Sequence, residues 1–146
     1  MKSFLQKAGS FCAYQERTQQ EVREKLRTWG ADADETEEVI AYLITENFLN
    51  ESRFARQYAG GKFRVKRWGR RKIRYALRGK GLSERCIEEA LAEISQEEYM
   101  DTLALLVSRE MDKLKGLDNP LLRKKKVMDY LVLKGFEAEL VRETVF

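Results

Sequence analysis

The chain has 146 residues, with 28 Lys and Arg against 24 Asp and Glu, one proline, two cysteines and no histidine. This length suits one ordinary domain or a short array of small repeats, and 43% hydrophobic residues suffice for a core, which argues against wholesale disorder. Without histidine there is no Ser-His-Asp or Cys-His relay and no zinc site with imidazole ligands, and Cys12 and Cys86 cannot supply four thiolates.

A period of three to four residues runs along the whole chain, and strand-like alternation is scarce, so an all-α fold is expected. Phe4, Ala8, Phe11 and Cys12 form the first apolar stripe. Thr18 to Glu21 reads as a capping box, in which hydroxyl and carboxylate each satisfy a free N–H at a helix start. Val22, Leu26 and Trp29 follow on one face, and Gly30 ends that helix. Asp34 is the expected cap of the next, with Val39, Ile40, Leu43 and Ile44 facing inward. A fourth helix starts near Asn50 and carries Phe54, Tyr58 and Phe63, with Gly60-Gly61 as an end or kink. Residues 70–79 supply Ile73 and Leu77 before a glycine C-cap at Gly79 and Gly81, and Ser83 opens a helix with Ile87, Ala90 and Leu91. Ser95 to Glu98 is a second capping box, ahead of Leu103, Val107, Met111 and Leu114. Asn119-Pro120 is an N-cap followed by proline at the first helical position, and Val127, Leu131, Gly135, Leu140 and Val141 complete about nine helices.

A period organises these helices. Val22, Leu26 and Gly30 are spaced as Ile73, Leu77 and Gly81, and again as Val127, Leu131 and Gly135, with offsets of 51 and 54 residues. Three tandem three-helix repeats are the economical account, with chance recurrence in a leucine-rich helical chain as the alternative. The expected boundaries are 1–50, 51–95 and 96–146, in an elongated or curved array. The two cysteines fall on apolar stripes and read as small buried hydrophobes, which fits a reducing compartment. The N-terminus shows no signal peptide and nothing approaches a membrane span, so a cytoplasmic protein without membrane contact is expected.

Net charge is only +4, but the charges are segregated. Residues 31–52 hold seven acids and no base, whereas residues 62–82 hold Lys62, Arg64, Lys66, Arg67, Arg70, Arg71, Lys72, Arg74, Arg78 and Lys80 and no acid. Like charges at this density repel unless solvated or facing a negative partner. Arg123, Lys124, Lys125 and Lys126 form a smaller run in the third repeat. Phe63, Trp68 and Tyr75 interleave the main basic segment, a pattern that suits phosphate contact with base stacking, while Trp68 beside Gly69 also fits a buried corner. Arg70 and Arg71 at a helix start oppose the macrodipole. The carboxylates follow surface spacing and no glycine-rich phosphate loop precedes Lys-Ser/Thr, so neither enzyme nor cofactor nor metal site is expected.

The series from Phe48 through Asn50-Glu51-Ser52-Arg53-Phe54-Ala55 to Tyr58, then Trp68-Gly69-Arg70-Arg71-Lys72-Ile73, Leu77, Lys80-Gly81-Leu82 and Ile87-Glu88-Glu89-Ala90-Leu91, resembles the RecX family of bacterial regulatory proteins. The chain departs from the family pattern at Asn50, at Arg70 where proline is frequent, and in the first repeat, where Trp29-Gly30 replaces the Lys-Gly kept as Lys134-Gly135. The resemblance implies a non-catalytic monomer that lies in the groove of the RecA–DNA filament and modulates, most often by inhibition, the ATPase, coprotease and strand-exchange activities of RecA in recombination and DNA repair. It also implies possible contact with single- or double-stranded DNA. On this reading Lys62, Arg64, Lys66, Arg67, Arg70, Arg71, Lys72, Arg74 and Arg78, with Arg123, Lys124 and Lys125, are the contact candidates. Arg53, Phe54, Trp68, Gly69, Ile73, Leu77 and Gly81 are expected to be structural. A stand-alone nucleic-acid-binding helical repeat module is the alternative.

Overall fold

The computed structural model describes residues 2–146, with side chains from residue 4 onward. Among these residues the regular structure is nine helices and no strand: α1 (Lys2–Tyr14), α2 (Gln19–Thr28), α3 (Ala33–Thr45), α4 (Glu51–Arg64), α5 (Arg70–Gly79), α6 (Glu84–Ala92), α7 (Gln96–Lys113), α8 (Pro120–Leu133) and α9 (Ala138–Val145). They fall into three successive groups of three, the tandem repeats expected from the glycine spacing. No described helix is long and apolar enough to cross a membrane.

The helix starts follow their side chains. Thr18 Oγ1 accepts from the Glu21 N–H at 3.1 Å while the Glu21 carboxylate accepts from the Thr18 N–H, closing the box that starts α2. The cap of α3 is Asp32, with Glu35 returning the bond, and Asp34 lies inside the first turn. Asp32 and Glu35 close a reciprocal box two residues earlier, so the helix has already begun when the chain reaches Asp34. The Ser95 box is half made: Ser95 Oγ accepts from the Glu98 N–H, but the Glu98 carboxylate turns to Arg64. Asn119 Oδ1 accepts from Leu121 and Leu122 at the start of α8, with Pro120 at its first position. Gly60 and Gly61 lie within α4, which continues through them to Arg64, so the expected end there is not found.

The helix ends explain the glycine period. Gly30, Gly81 and Gly135 have φ of 92°, 83° and 103°, the left-handed region where a side chain is strained. Each sits in the same double-bonded turn. The residue after glycine donates to a buried leucine carbonyl five residues back: Ala31 to Leu26, Leu82 to Leu77, and Phe136 to Leu131. Each glycine N–H also donates three residues back. This is a Schellman turn, repeated in all three copies.

The fold forms two compact units, Met1–Gln57 with Leu77–Glu89 and Tyr58–Ala76 with Ala90–Phe146. The first buries a cluster of Ala8, Cys12, Val22, Leu26, Val39, Ile40, Leu43 and Leu49. Ile44, expected inward, is 45% exposed, because Val39, Ile40 and Leu43 already fill the buried stripe and the next position turns away from it. Arg53 is fixed by two partners. Its Nε donates to Glu16 at 2.5 Å and its Nη2 to the Asn47 carbonyl. Phe54, Leu77 and Ile87 are buried, Cys12 is buried with its thiol pushed up by desolvation, and Cys86 is only half-buried beside Ser52.

The second unit is built on an aromatic stack. Tyr99 lies between Phe63 (centroids 5.6 Å apart) and Phe136 (5.2 Å), all three at 1% exposure or less. Ile73, Leu103, Val127, Leu131 and Val141 are buried in the same unit. Met111 and Leu114, expected in the core, are only half-buried, since the inward stripe of α7 runs through Tyr99, Leu103, Leu106 and Val107.

Candidate functional site

The start of α5, in the second unit, carries Arg70, Arg71 and Lys72 with no acid in its first turn. Such a start leaves orphan N–H groups and places cations at the positive end of the helix dipole. Tertiary partners supply what the local sequence lacks. Gly69 N–H donates to the Lys134 carbonyl at 2.8 Å, Arg71 N–H to the Gly135 carbonyl at 2.9 Å, and Arg70 N–H to the Tyr99 hydroxyl at 3.0 Å. The Schellman turn ending α8 therefore caps α5. A Cβ at Gly69 would collide with the backbone of Gly135 and Phe136, and a Cβ at Gly135 with Lys72. Two glycines permit the approach.

Arg70 completes this junction. Its guanidinium lies 3.7 Å from the Tyr99 ring centroid and donates to Glu137 at 2.9 Å and Gln96 at 2.6 Å. Tyr99 donates its hydroxyl proton to the other Glu137 oxygen at 2.5 Å. Burial pushes Glu137 up, but the hydrogen bonds from Tyr99 and Arg70 outweigh it and hold the carboxyl below its ordinary range. Burial and the Glu137 hydrogen bond raise the Tyr99 phenol well above its ordinary value. The Glu137 carboxylate thus offsets the dipole cost of the two arginines, and Arg70 is spent inside the fold.

The neighbouring cations are not neutralised in this way. The Trp68 ring lies 4.5 Å from the Lys72 ammonium and 4.9 Å from that of Lys62, and meets Tyr58 edge-on at 6.5 Å. Lys134 donates to the Lys66 carbonyl at 3.1 Å, and its ammonium is held below its ordinary value by burial and then by Lys72 and Arg67, with Glu110 opposing. Arg67 itself stands at φ 60°, a strained conformation for a non-glycine residue. The structure thus sets Lys62 and Lys72 against Trp68, and Lys134 on the Lys66 carbonyl within the field of Lys72 and Arg67. Among the described residues no ion pair forms to any of these five. Trp68 is half-buried and serves as a platform for two ammoniums.

The other candidates are distributed differently. Arg71 is exposed on α5, and Arg74 half-buried. Arg64 makes a two-pronged pair with Glu98 at 2.9 and 3.1 Å, and Arg78, in the first unit, does the same with Glu84. In the third repeat Arg123 donates to the Leu117 carbonyl, Lys124 lies 5.3 Å from the Phe146 ring, and Lys125 pairs with Asp129. Sequence reasoning did not single out Tyr99, Glu137 or the part played by Lys134. For Tyr99 a signal was present, since it lies four residues before Leu103 on the same helical stripe. For Glu137 none was, because its role depends on Arg70, 67 residues away.

Known proteins share this fold. Family models for the first and second three-helix domains of RecX match residues 5–43 and 50–91. The chain is 35% identical over 141 residues to the regulatory protein RecX of Prosthecochloris aestuarii, covering 97% of this chain and 90% of that protein. It is 29% identical over 130 residues to the regulatory protein RecX of Clostridium botulinum, covering 88% of this chain but only 60% of that longer relative. The crystal structure of RecX from Lactobacillus salivarius has the same fold, with a TM-score of 0.88 at 22% identity over 99% of this chain and 96% of the other. With two family domains matched in order and a relative aligned along nearly its whole length, the chain belongs to the RecX family of regulatory proteins.

Proposed function

We propose that this chain is a non-catalytic regulator that binds the RecA–DNA filament and restrains RecA activity through cations of its second repeat joined by Lys134 of the third. The observation that carries this reading is a set of cations without ion pairs in the second unit, Lys62 and Lys72 on the Trp68 ring together with Lys66, Arg67 and Lys134, on a member of the RecX family. A concentration of unpaired cations raises the encounter rate with an anionic filament. Three copies of one helical layout, divided as 1–50, 51–95 and 96–146, can engage successive equivalent subunits, which multiplies weak contacts through effective concentration. Regulation then comes from where the protein lies, and no chemical step is required of it.

The test is RecA-dependent ATP hydrolysis on single-stranded DNA, titrated with the purified chain. Hydrolysis falls with added protein, and the Arg71→Glu, Lys72→Glu double variant requires a markedly higher concentration for the same effect. A rate unchanged across the titration overturns the reading. The alternative, a nucleic-acid module acting without RecA, is favoured by Tyr75, which is 81% exposed on α5 next to the basic residues. In that case DNA affinity measured without RecA is high and falls steeply with salt.

A further inference from the structure

The first unit holds a second place where cations and aromatic rings meet, built from residues outside the basic segment that dominates the sequence. Between α1 and α2 lies an open cleft of about 730 Å³ lined by Gln6, Lys7, Ser10, Phe11, Lys25 and Trp29. Its floor is an aromatic pair: the half-buried rings of Phe11 and Trp29 meet edge-to-face, centroids 6.3 Å apart at 82°. Arg17 fixes that floor, its guanidinium 3.7 Å from the Phe11 ring centroid and its Nε donating to the Phe11 carbonyl. Lys7 reaches within 5.7 Å of the Trp29 ring and Lys25 within 5.7 Å of the Phe11 ring, so an exposed ammonium flanks each aromatic.

No acid lines the cleft. Glu21, one turn before Lys25, accepts from both the N–H and the hydroxyl of Thr18 and faces Arg17 at 4.0 Å. Glu24 lines a separate cleft with Gln20 and Arg27. Among the described residues Lys7 and Lys25 have no carboxylate partner. The cleft therefore offers two unneutralised ammoniums, an apolar aromatic floor, and an amide and a hydroxyl with free hydrogen-bonding capacity at its rim.

We propose that this cleft binds one nucleotide unit of a single-stranded nucleic acid, with the base against Trp29 and Phe11 and the flanking phosphates on Lys7 and Lys25. A purely acidic peptide would use the ammoniums but leave the aromatic floor idle, whereas an unstacked base uses both and presents polar edges to Gln6 and Ser10. A duplex keeps its bases stacked and has no π-face to offer, so the site selects single strands. This site is independent of filament binding and is tested with no recombinase present.

The experiment uses the full chain and a fluorescein-labelled oligothymidylate, followed by anisotropy across a salt series. The Lys7→Gln, Lys25→Gln double variant alters two exposed side chains and leaves the core intact. Its affinity is expected to fall about tenfold or more, with the log–log salt slope reduced by about 1.4 for two lost phosphate contacts to a single strand. In a Trp68→Phe background, where Trp29 is the sole tryptophan, oligonucleotide quenches the remaining emission, and it still does so when Arg71→Glu is added. Wild-type affinity and slope in the double variant overturn the proposal. So does equal affinity for a duplex of the same length, or equal quenching by polyglutamate.

Discussion

Removing one oxygen atom from Tyr99 tests how the second unit is held together. In Tyr99→Phe the ring keeps its place between Phe63 and Phe136, so the change is confined to the hydroxyl. That hydroxyl donates to Glu137 at 2.5 Å and accepts from the Arg70 N–H at 3.0 Å, so its loss leaves a helix-start donor and a carboxylate each short of a partner. A hydrogen bond to a charged group contributes about 1.5–3 kcal/mol, and an orphaned N–H costs about 1–3 kcal/mol more when water cannot reach it. The Glu137 side chain is 30% exposed and still holds Arg70, so water replaces part of the loss. The expected net cost is about 2–3 kcal/mol. With a urea m-value of about 2 kcal/mol/M, the midpoint falls by about 1–1.5 M with m unchanged.

The pH profile of the same variant carries the sign of the argument. Glu137 has a depressed pKa in the folded chain, so its contribution is present above the unfolded carboxylate value of about 4.3 and is lost as pH falls through the folded value. Tyr99 has a raised pKa, so its contribution is present below about pH 10, where the unfolded phenol titrates, and is lost as pH rises toward the folded value. Against the wild type, Tyr99→Phe therefore loses the tyrosine part of the alkaline limb and has a shallower acid limb. A Tyr99→Phe midpoint within 0.2 M of wild type, or unchanged limbs at both ends, would refute the view that this hydroxyl joins Arg70 to Glu137.

Further outcomes follow from the same junction. Gly69→Ala forces a methyl group into the backbone of Gly135 and Phe136, which cannot rotate away, and is expected to cost about 3 kcal/mol or more in chemical denaturation. Arg70→Glu and Arg71→Glu, adjacent and identical in charge change, separate sharply. The first sets a carboxylate against Glu137 and lowers stability by about 3 kcal/mol or more, while the second, exposed, stays within about 0.5 kcal/mol of wild type. A binding defect in Arg70→Glu is thus read as unfolding unless thermal melts say otherwise. Gly81→Ala places a side chain at φ 83° where the nearest atom stands 3.6 Å away, so its cost is conformational alone, about 1–2 kcal/mol by calorimetry.

Much of the fold was legible locally because its signals are local. Thr18, Asn119 and the glycines 30 and 81 act within five residues of themselves, through caps and turns that the chain makes alone. Where a local signal failed, a distant partner had intervened. The Ser95 box stayed half-closed because Glu98 belongs to Arg64, 34 residues away.

The same division holds for the candidate site. From the sequence alone came the all-helical class, the triple glycine period, and a basic segment with tryptophan at its centre. Only the tertiary structure decided which of those cations are available. Arg70, Arg64 and Arg78 meet carboxylates 67, 34 and 6 residues away, while Lys62 and Lys72 meet the Trp68 ring and no carboxylate. Charge is a property of a residue and can be counted, but neutralisation is a property of a pair, and folding chooses the pairs.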